Sequence, residues 1–457
     1  MVSLSTIVKA YDVRGVVPEQ FDERIAEALG AAFATVIEAD AIVTAHDMRE
    51  SGPGLAAAFA RGATSVGADV VEIGLASTDE LYFASGHLDL PGAMFTASHN
   101  PAQYNGIKLC RAGASPVGAE SGLVQIRELA EAYLADGLPQ PAATPGTVRR
   151  QDLLGDYAAY LRGLVDLSAI RPLKVVVDAG NGMGGFTVPA VLGDQALPAL
   201  PLDIVPLYFE LDGSFPNHEA NPLEPANLVD LQRKVVEVGA DIGLAFDGDA
   251  DRCFVIDAAG APVSPSAITA LVAVRELAKD PGAAIIHNLI TSRAVPEIVA
   301  EHGGTPVRTR VGHSYIKAEM ARTGAVFGGE HSAHYYFRDF WKADTGMLAA
   351  MHVLAALGEQ PGPLAALTEA YERYTASGEI NSTVDDQAAR VAAVRAAYAA
   401  QAADIDELDG LTVALGDGSW FNVRASNTEP LLRLNVEAPT EQRMAGLRDD
   451  VLALIRG

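Results

Sequence analysis

The segment Thr96-Ala97-Ser98-His99-Asn100-Pro101 places a hydroxyl nucleophile in a loop, and Asp247-Gly248-Asp249-Ala250-Asp251-Arg252 places three carboxylates at i, i+2 and i+4. In an extended segment such carboxylates leave one face and converge on one cation. An all-oxygen set suits Mg²⁺ far better than Zn²⁺. A serine hydroxyl together with such a cation is the equipment of metal-assisted phosphoryl transfer through serine. An EF-hand opens with the same spacing but needs Gly at its sixth position and Glu at its twelfth, where this chain has Arg252 and Ala258, so that reading fails. A solvated acidic loop is the competing reading of the trio. His99 beside Ser98 suggests a serine hydrolase, but neighbours in an extended chain point to opposite faces and no Gly-x-Ser-x-Gly elbow is present.

The flanking residues say what must position these groups. Ile242-Gly243-Leu244-Ala245-Phe246 reads as a buried strand and Cys253-Phe254-Val255-Ile256 as another, so the trio is expected at a hairpin tip. Ser98 follows the strand-like run Gly92-Ala93-Met94-Phe95-Thr96 and is expected on a solvent-facing loop at a strand's carboxyl end, where open α/β sheets place ligands. Strand-like runs at 41–44, 69–73 and 93–96 alternate with helical stretches at 22–39 and 55–66, the pattern of α/β layers. A Pro/Ala/Gly-rich stretch at 137–146 reads as a linker. A second α/β block begins at 174–178, a third near Ser264 with a strand at 283–286, and a last block near Thr375 with strands at 411–415 and 420–424 and a closing helix at 440–456. Gly180-Asn181-Gly182-Met183-Gly184-Gly185 reads as a tight strand-to-helix turn rather than a dinucleotide fingerprint, because its glycines are out of register with that motif. Arg424-Ala425-Ser426-Asn427-Thr428 combines a guanidinium fork, two hydroxyls and an amide, a full donor set for a phosphate dianion; a solvated turn competes.

At 457 residues the chain is expected to hold two to four domains, and 49% hydrophobic with 20% charged residues describes a well-buried globular protein. The formal net charge of −26 argues against nucleic acid and anionic membranes as partners. An acidic chain that binds phosphates must build its positive field locally. The two cysteines, Cys110 and Cys253, are expected to be reduced core residues of a cytoplasmic protein. No signal pattern opens the chain, and the most apolar helical run, 347–357, is too short to span a bilayer.

Four blocks in order carry a resemblance. Ala10-Tyr11-Asp12-Val13-Arg14-Gly15 with 96–101, then 247–252, then Gly329-Glu330-His331-Ser332-Ala333-His334, then Arg424-Ala425-Ser426-Asn427-Thr428-Glu429-Pro430 resemble the α-D-phosphohexomutases, the family of phosphomannomutases and phosphoglucomutases, from end to end. The resemblance implies three similar mixed α/β domains plus a smaller C-terminal α+β domain around a central active-site cleft, divided as 1–150, 151–257, 258–372 and 373–457. It implies a mutase that interconverts hexose 6- and 1-phosphates through phosphoserine at Ser98 and a hexose 1,6-bisphosphate intermediate. Mg²⁺ would be held by Asp247, Asp249, Asp251 and an oxygen of the Ser98 phosphate. Arg14, Lys108, Arg252 and His313 would stand next to the reacting phosphoryl, with His313, or Lys108 with a pKa lowered by a cationic setting, moving the proton. Tyr11, His99 and His334 would contact the ligand, Glu330 and Ser332 the 3- and 4-hydroxyls, and Arg424, Ser426, Asn427 and Thr428 the phosphate that is not reacting.

Glu330-His331-Ser332-Ala333-His334 resembles the phosphomannomutase and dual phosphomannomutase/phosphoglucomutase branch, whereas glucose-only members tend to read Glu-Glu-Ser and glucosamine-specific ones Glu-Gln-Ser. Epimers at C2 share the 3- and 4-hydroxyls, so dual activity is expected. The chain departs from the pattern at Lys9, where many members have Arg, and at 288–293, which lacks a Lys and offers Arg293 instead. Hexose phosphates are the expected partners, and the expected assembly is a monomer or homodimer. A metal-dependent nucleotide-sugar transferase and a non-enzymatic sugar-phosphate binding module are the rival readings; neither forms a phosphoenzyme.

Overall fold

Short apolar runs alternating with capped helices build three α/β repeats and one antiparallel unit in the computed structural model, which describes residues 3–426 and 431–457, the side chain of His313 excepted. In the first repeat Ala41–His46, buried through its middle, runs parallel to Asp69–Leu75 and Gly92–Phe95, and Tyr104–Arg111 returns antiparallel beside Gly92–Phe95. Parallel neighbours need crossovers, supplied by helices Gly52–Ser65 and Thr78–Leu88. The second of these starts at Ser77, whose hydroxyl caps it by accepting from the Glu80 N–H. Phe59 packs on Phe33 and Phe95 at ring separations of 5.8 and 5.5 Å, joining the helical layer to the sheet. The stretch at 137–146 holds no helix or strand and leads into Val148–Arg150, which pairs with Asp69–Leu75.

In the second repeat Leu173–Asp178 lies between Leu202–Leu207 and Ile242–Phe246, parallel to both, and Cys253–Asp257 pairs antiparallel with Ile242–Phe246. Phe246 faces Cys253, so residues 247–252 are the tip of that hairpin. The trio therefore converges because the chain turns there, with Ala250 left-handed at φ 61°, and not through the period of an extended segment. The third repeat sets Ala284–Asn288 parallel to Thr305–Thr309 and Phe327–Gly329. In the last, Thr375–Thr383, Leu431–Ala438, Trp420–Ala425, Leu411–Leu415 and Ala402–Asp406 form one antiparallel sheet in that order. Val394 of helix Gln387–Tyr398 and Leu447, Val451 and Ile455 of Glu441–Arg456 join Val413, Phe421 and Leu434 of the strands in its core.

The chain folds as two compact units, one of residues up to Val263 with Ser332–Leu367, the other of Ser264–His331 with Thr368–Gly457. In the first unit the apolar run at 347–357 becomes helix Gly346–Gly358, buried along its whole length. Both cysteines are buried thiols outside any disulfide. Among the described residues no helix is long and apolar enough to cross a membrane.

Candidate active site

Ser98 stands just past the carboxyl end of Gly92–Phe95, yet it is 5% exposed and so does not lie on an open loop. The acidic turn at 247–252 covers it: a Cβ on Gly248 would come 2.4 Å from the Ser98 carbonyl oxygen, and only glycine permits that approach. Gly182, in the glycine-rich turn, packs behind in the same way, since a Cβ there would lie 2.6 Å from the Gly248 carbonyl. Ser98 holds φ at +50°, and its hydroxyl donates to Asp247 Oδ2 at 2.9 Å. This left-handed turn also brings the hydroxyl within 3.2 Å of His99 Nδ1, so the two neighbours do not point apart as an extended chain would make them. The pair is still no Ser-His base couple. Arg252 Nη2 donates to His99 Nδ1 at 2.7 Å, and burial with the Arg252 and Arg14 charges pushes the imidazole pKa down to about 2.

Asp247 Oδ2 also accepts from Arg252 Nε and Nη2 at 2.9 and 2.7 Å. Burial outweighs the pull of Arg252, and with the Asp251 and Asp249 charges it raises the Asp247 carboxyl to about 7. For Asp249 burial opposes ionisation, but Lys108 and the Thr78 hydroxyl outweigh it and hold the carboxyl far below the ordinary range. Lys108 Nζ lies between Asp249 Oδ2 at 2.7 Å and Asp251 Oδ2 at 2.6 Å. Burial alone would favour the free amine, yet these two carboxylates win and hold its pKa well above normal. The setting of Lys108 in the metal-free protein is therefore anionic rather than the expected cationic one, and it shifts the lysine pKa up instead of down.

Oxygens of Asp247, Asp249 and Asp251 lie within 4.8 Å of one another. Asp249 Oδ1 and Asp251 Oδ1 are buried and accept no hydrogen bond among the described residues. Two orphaned carboxylate oxygens beside a third carboxylate fit a hard divalent cation, and the Lys108 ammonium stands on their far oxygens. Arg14 joins the edge through Nη1 to Asn100 Oδ1 at 2.5 Å and Nη2 to Asp12 Oδ2 at 2.6 Å, with half-buried Tyr11 just before its strand. Arg252 and His334 bridge as isolated antiparallel partners. That bridge sets His334 Nε2 3.7 Å from Asp251 Oδ1, while Nδ1 bonds Ser332 Oγ at 3.0 Å.

In the second unit Glu330 is 2% exposed, and its Oε1 accepts from Asn288 Nδ2 at 3.1 Å and the Gly312 N–H at 3.2 Å. His313 opens helix His313–Thr323, its side chain outside the described residues. Arg424, on Trp420–Ala425, is braced by Glu379 at 3.3 Å and Asp409 at 3.5 Å, and its buried Nε has no hydrogen-bond partner among the described residues. The Ser426 N–H donates to the Leu431 carbonyl at 2.9 Å, and Asn427 and Thr428 lie outside the described residues. Arg293 bonds Glu297 at 2.9 Å one helical turn on, and its N–H donates to Glu437, so the residue serves the fold locally.

Sequence reasoning missed Thr78, whose hydroxyl donates to Asp249 Oδ2 at 2.5 Å and whose N–H donates to the Asp249 carbonyl at 3.0 Å. It also missed Arg49, buried behind the Ser98 loop. The only local sign of Arg49 was a charged pair, Asp47 and Arg49, directly after a buried strand.

Family comparisons match all four parts of the chain. Residues 5–134, 155–260 and 264–374 match phosphoglucomutase/phosphomannomutase alpha/beta/alpha domains I, II and III, and residues 379–454 match the C-terminal domain of the same family. A protein of Xanthomonas campestris pv. campestris described as "Phosphohexose mutases" is 41% identical, covering 98% of this chain and 99% of its own. A phosphomannomutase of Salmonella montevideo is 40% identical over 95% of each chain. The crystal structure of a phosphoglucomutase/phosphomannomutase family protein from Burkholderia thailandensis superposes with a TM-score of 0.88 at 33% identity, covering 100% of this chain and 98% of that one.

Proposed function

The chain belongs to the phosphoglucomutase/phosphomannomutase family, and from that premise we propose that it interconverts mannose 6-phosphate and mannose 1-phosphate, and the glucose pair as well, through phosphoserine at Ser98 and a hexose 1,6-bisphosphate. The observation that carries the reading is the Ser98 hydroxyl, 2.9 Å from the first of three carboxylates that can share a cation. Mg²⁺, held by Asp247, Asp249, Asp251 and an oxygen on Ser98, would stabilise charge on the phosphoryl oxygens. Arg252 and Arg14 add fixed positive charge at the same centre.

For proton transfer we infer His334 as a further candidate beside His313, whose side chain lies outside the described residues, and Lys108. Among the side chains described at Ser98, the Asp249 and Asp251 carboxylates raise the Lys108 pKa, and His99 is neutral with Nδ1 already filled. His334 keeps Nε2 3.7 Å from Asp251 Oδ1, at the edge of the acidic trio, where it could take a proton from a sugar hydroxyl. Glu330, its carboxylate fixed by Asn288 and Gly312, and Ser332 would read the 3- and 4-hydroxyls, which mannose and glucose share. Arg424 with Ser426, Asn427 and Thr428 would grip the phosphate that is not reacting. We keep the four-domain division at 1–150, 151–257, 258–372 and 373–457. The test is a coupled assay with mannose 1-phosphate and glucose 1-phosphate: the parent turns over both, and Ser98→Ala turns over neither while melting as the parent does. Turnover by Ser98→Ala within tenfold of the parent overturns the reading.

A further inference from the structure

Arg49 is 2% exposed and has no part in the mechanism above. Its Nε donates to Asp47 Oδ2 at 3.2 Å, Nη1 to the carbonyls of Pro101 and Tyr104 at 2.9 and 2.8 Å, and Nη2 to the carbonyls of Ser98 and Asn100 at 2.9 and 2.7 Å. Every N–H of the fork is thereby spent. Three of the four carbonyls belong to the loop that carries the nucleophile, and the fourth, of Tyr104, opens the strand that follows it. A guanidinium that served only the core would have no reason to gather its partners there.

The clamp is itself fixed. Asp47, wholly buried, accepts from the Arg49 N–H at 3.0 Å, and Thr96 Oγ1 accepts from the Ser98 N–H at 2.9 Å. The Phe215 ring, from the loop after Leu202–Leu207 of the second repeat, lies 5.2 Å from the Arg49 guanidinium carbon. The loop so held keeps Ser98 at φ +50°, a conformation that a serine retains only when its surroundings impose it.

We propose that Arg49 is the positioning residue of the nucleophile loop: by holding the carbonyls of Ser98, Asn100, Pro101 and Tyr104 it fixes Ser98 Oγ against the acidic trio, and Phe215 locks the clamp from the second repeat. The inference rests on Ser98 being the phosphorylated nucleophile. Arg49 acts on the reaction through the loop and touches no substrate, so its loss should slow chemistry and leave sugar binding alone.

The test follows phosphorylation of the dephosphorylated enzyme by hexose 1,6-bisphosphate in a single turnover, read by intact mass. In that step a P–O bond to the sugar breaks, a bond to Ser98 Oγ forms, and the serine proton passes to the sugar oxygen. Arg49→Lys keeps the charge but loses the planar fork. It is expected to slow Ser98 phosphorylation and kcat by about a hundredfold, with KM for mannose 1-phosphate and the Mg²⁺ requirement within about threefold of the parent. Phe215→Leu, which removes the π face and keeps an apolar side chain, is expected to slow the same step by about three- to tenfold. A phosphorylation rate for Arg49→Lys within threefold of the parent, or a raised KM with unchanged kcat, overturns the proposal. If Arg49→Lys does not fold, Phe215→Leu decides, and a parental rate there overturns it. Failure of the parent itself to label at Ser98 would instead refute the phosphoserine reading, so the two failures are distinct.

Discussion

Replacing Lys108 by Met separates the two cations that the acidic trio can accept. The ammonium lies 2.7 and 2.6 Å from carboxylates whose side chains are 0 and 2% exposed, while its own is 18% exposed. Removing one partner of a buried pair costs about 3–5 kcal/mol, because the charge left behind is neither solvated nor paired. The partial exposure of Lys108 puts the expected loss at the lower end, about 3 kcal/mol, which lowers a melting transition of domain size by roughly 6–12 °C. That loss belongs to the metal-free protein. With saturating Mg²⁺ the bound cation neutralises the same carboxylates, and because Lys108 no longer competes for them, the variant should gain more from Mg²⁺ than the parent does. The assay is thermal unfolding of parent and Lys108→Met in chelator and across a Mg²⁺ titration. An equal gap between the two proteins with and without Mg²⁺, or no gap in chelator, would refute the shared-carboxylate account.

Other expectations follow from the same geometry. Chelation should stop turnover and Mg²⁺ restore it, and Asp249→Asn should weaken Mg²⁺ activation sharply, since one ligand charge is lost; full activity in excess chelator would remove the aspartates from this role. Arg424→Ala should raise KM for both hexose 1-phosphates by roughly ten- to a hundredfold, the worth of a charge-assisted contact of about 1.5–3 kcal/mol, and unchanged steady-state constants would discard the phosphate clamp. Asp79 is wholly buried under hydroxyls of Ser77, Tyr157 and Thr345, and burial raises its carboxyl from 3.8 to about 6. Between those values the folded state binds the extra proton, so this group's contribution to stability is fully present below the unfolded pKa and is lost as pH rises through the folded one. Relative to Asp79→Asn, the parent should therefore gain on the order of 1 kcal/mol in denaturant unfolding from pH 7 to pH 5, and a flat difference would contradict the shifted carboxyl.

What was legible in the sequence was whatever neighbouring residues determine. Two apolar runs around 247–252 were enough to place the trio at a hairpin tip, and the expected strand at 420–424 and helix at 440–456 appear as Trp420–Ala425 and Glu441–Arg456. What was not legible depends on distant partners. Thr78 meets Asp249 across 171 positions, and Lys108 meets Asp249 and Asp251 across 141 and 143, so the motif around Lys108 could not reveal that its environment is anionic. The left-handed turn at Ser98 was hidden because the residue is not a glycine, and with it went both the burial of the hydroxyl and its approach to His99. Arg49 finds its carbonyls 49 to 55 residues away, which no local pattern encodes.

The central claim is that Ser98 carries the phosphoryl group between two hexose oxygens. The most direct measurement is intact mass with site mapping after incubation with hexose 1,6-bisphosphate, followed by a chase with mannose 1-phosphate. The account expects one added phosphate, located on Ser98, that disappears in the chase as bisphosphate forms. Interconversion of the hexose phosphates with no phosphate on the protein, or with phosphate on a residue other than Ser98, would contradict it.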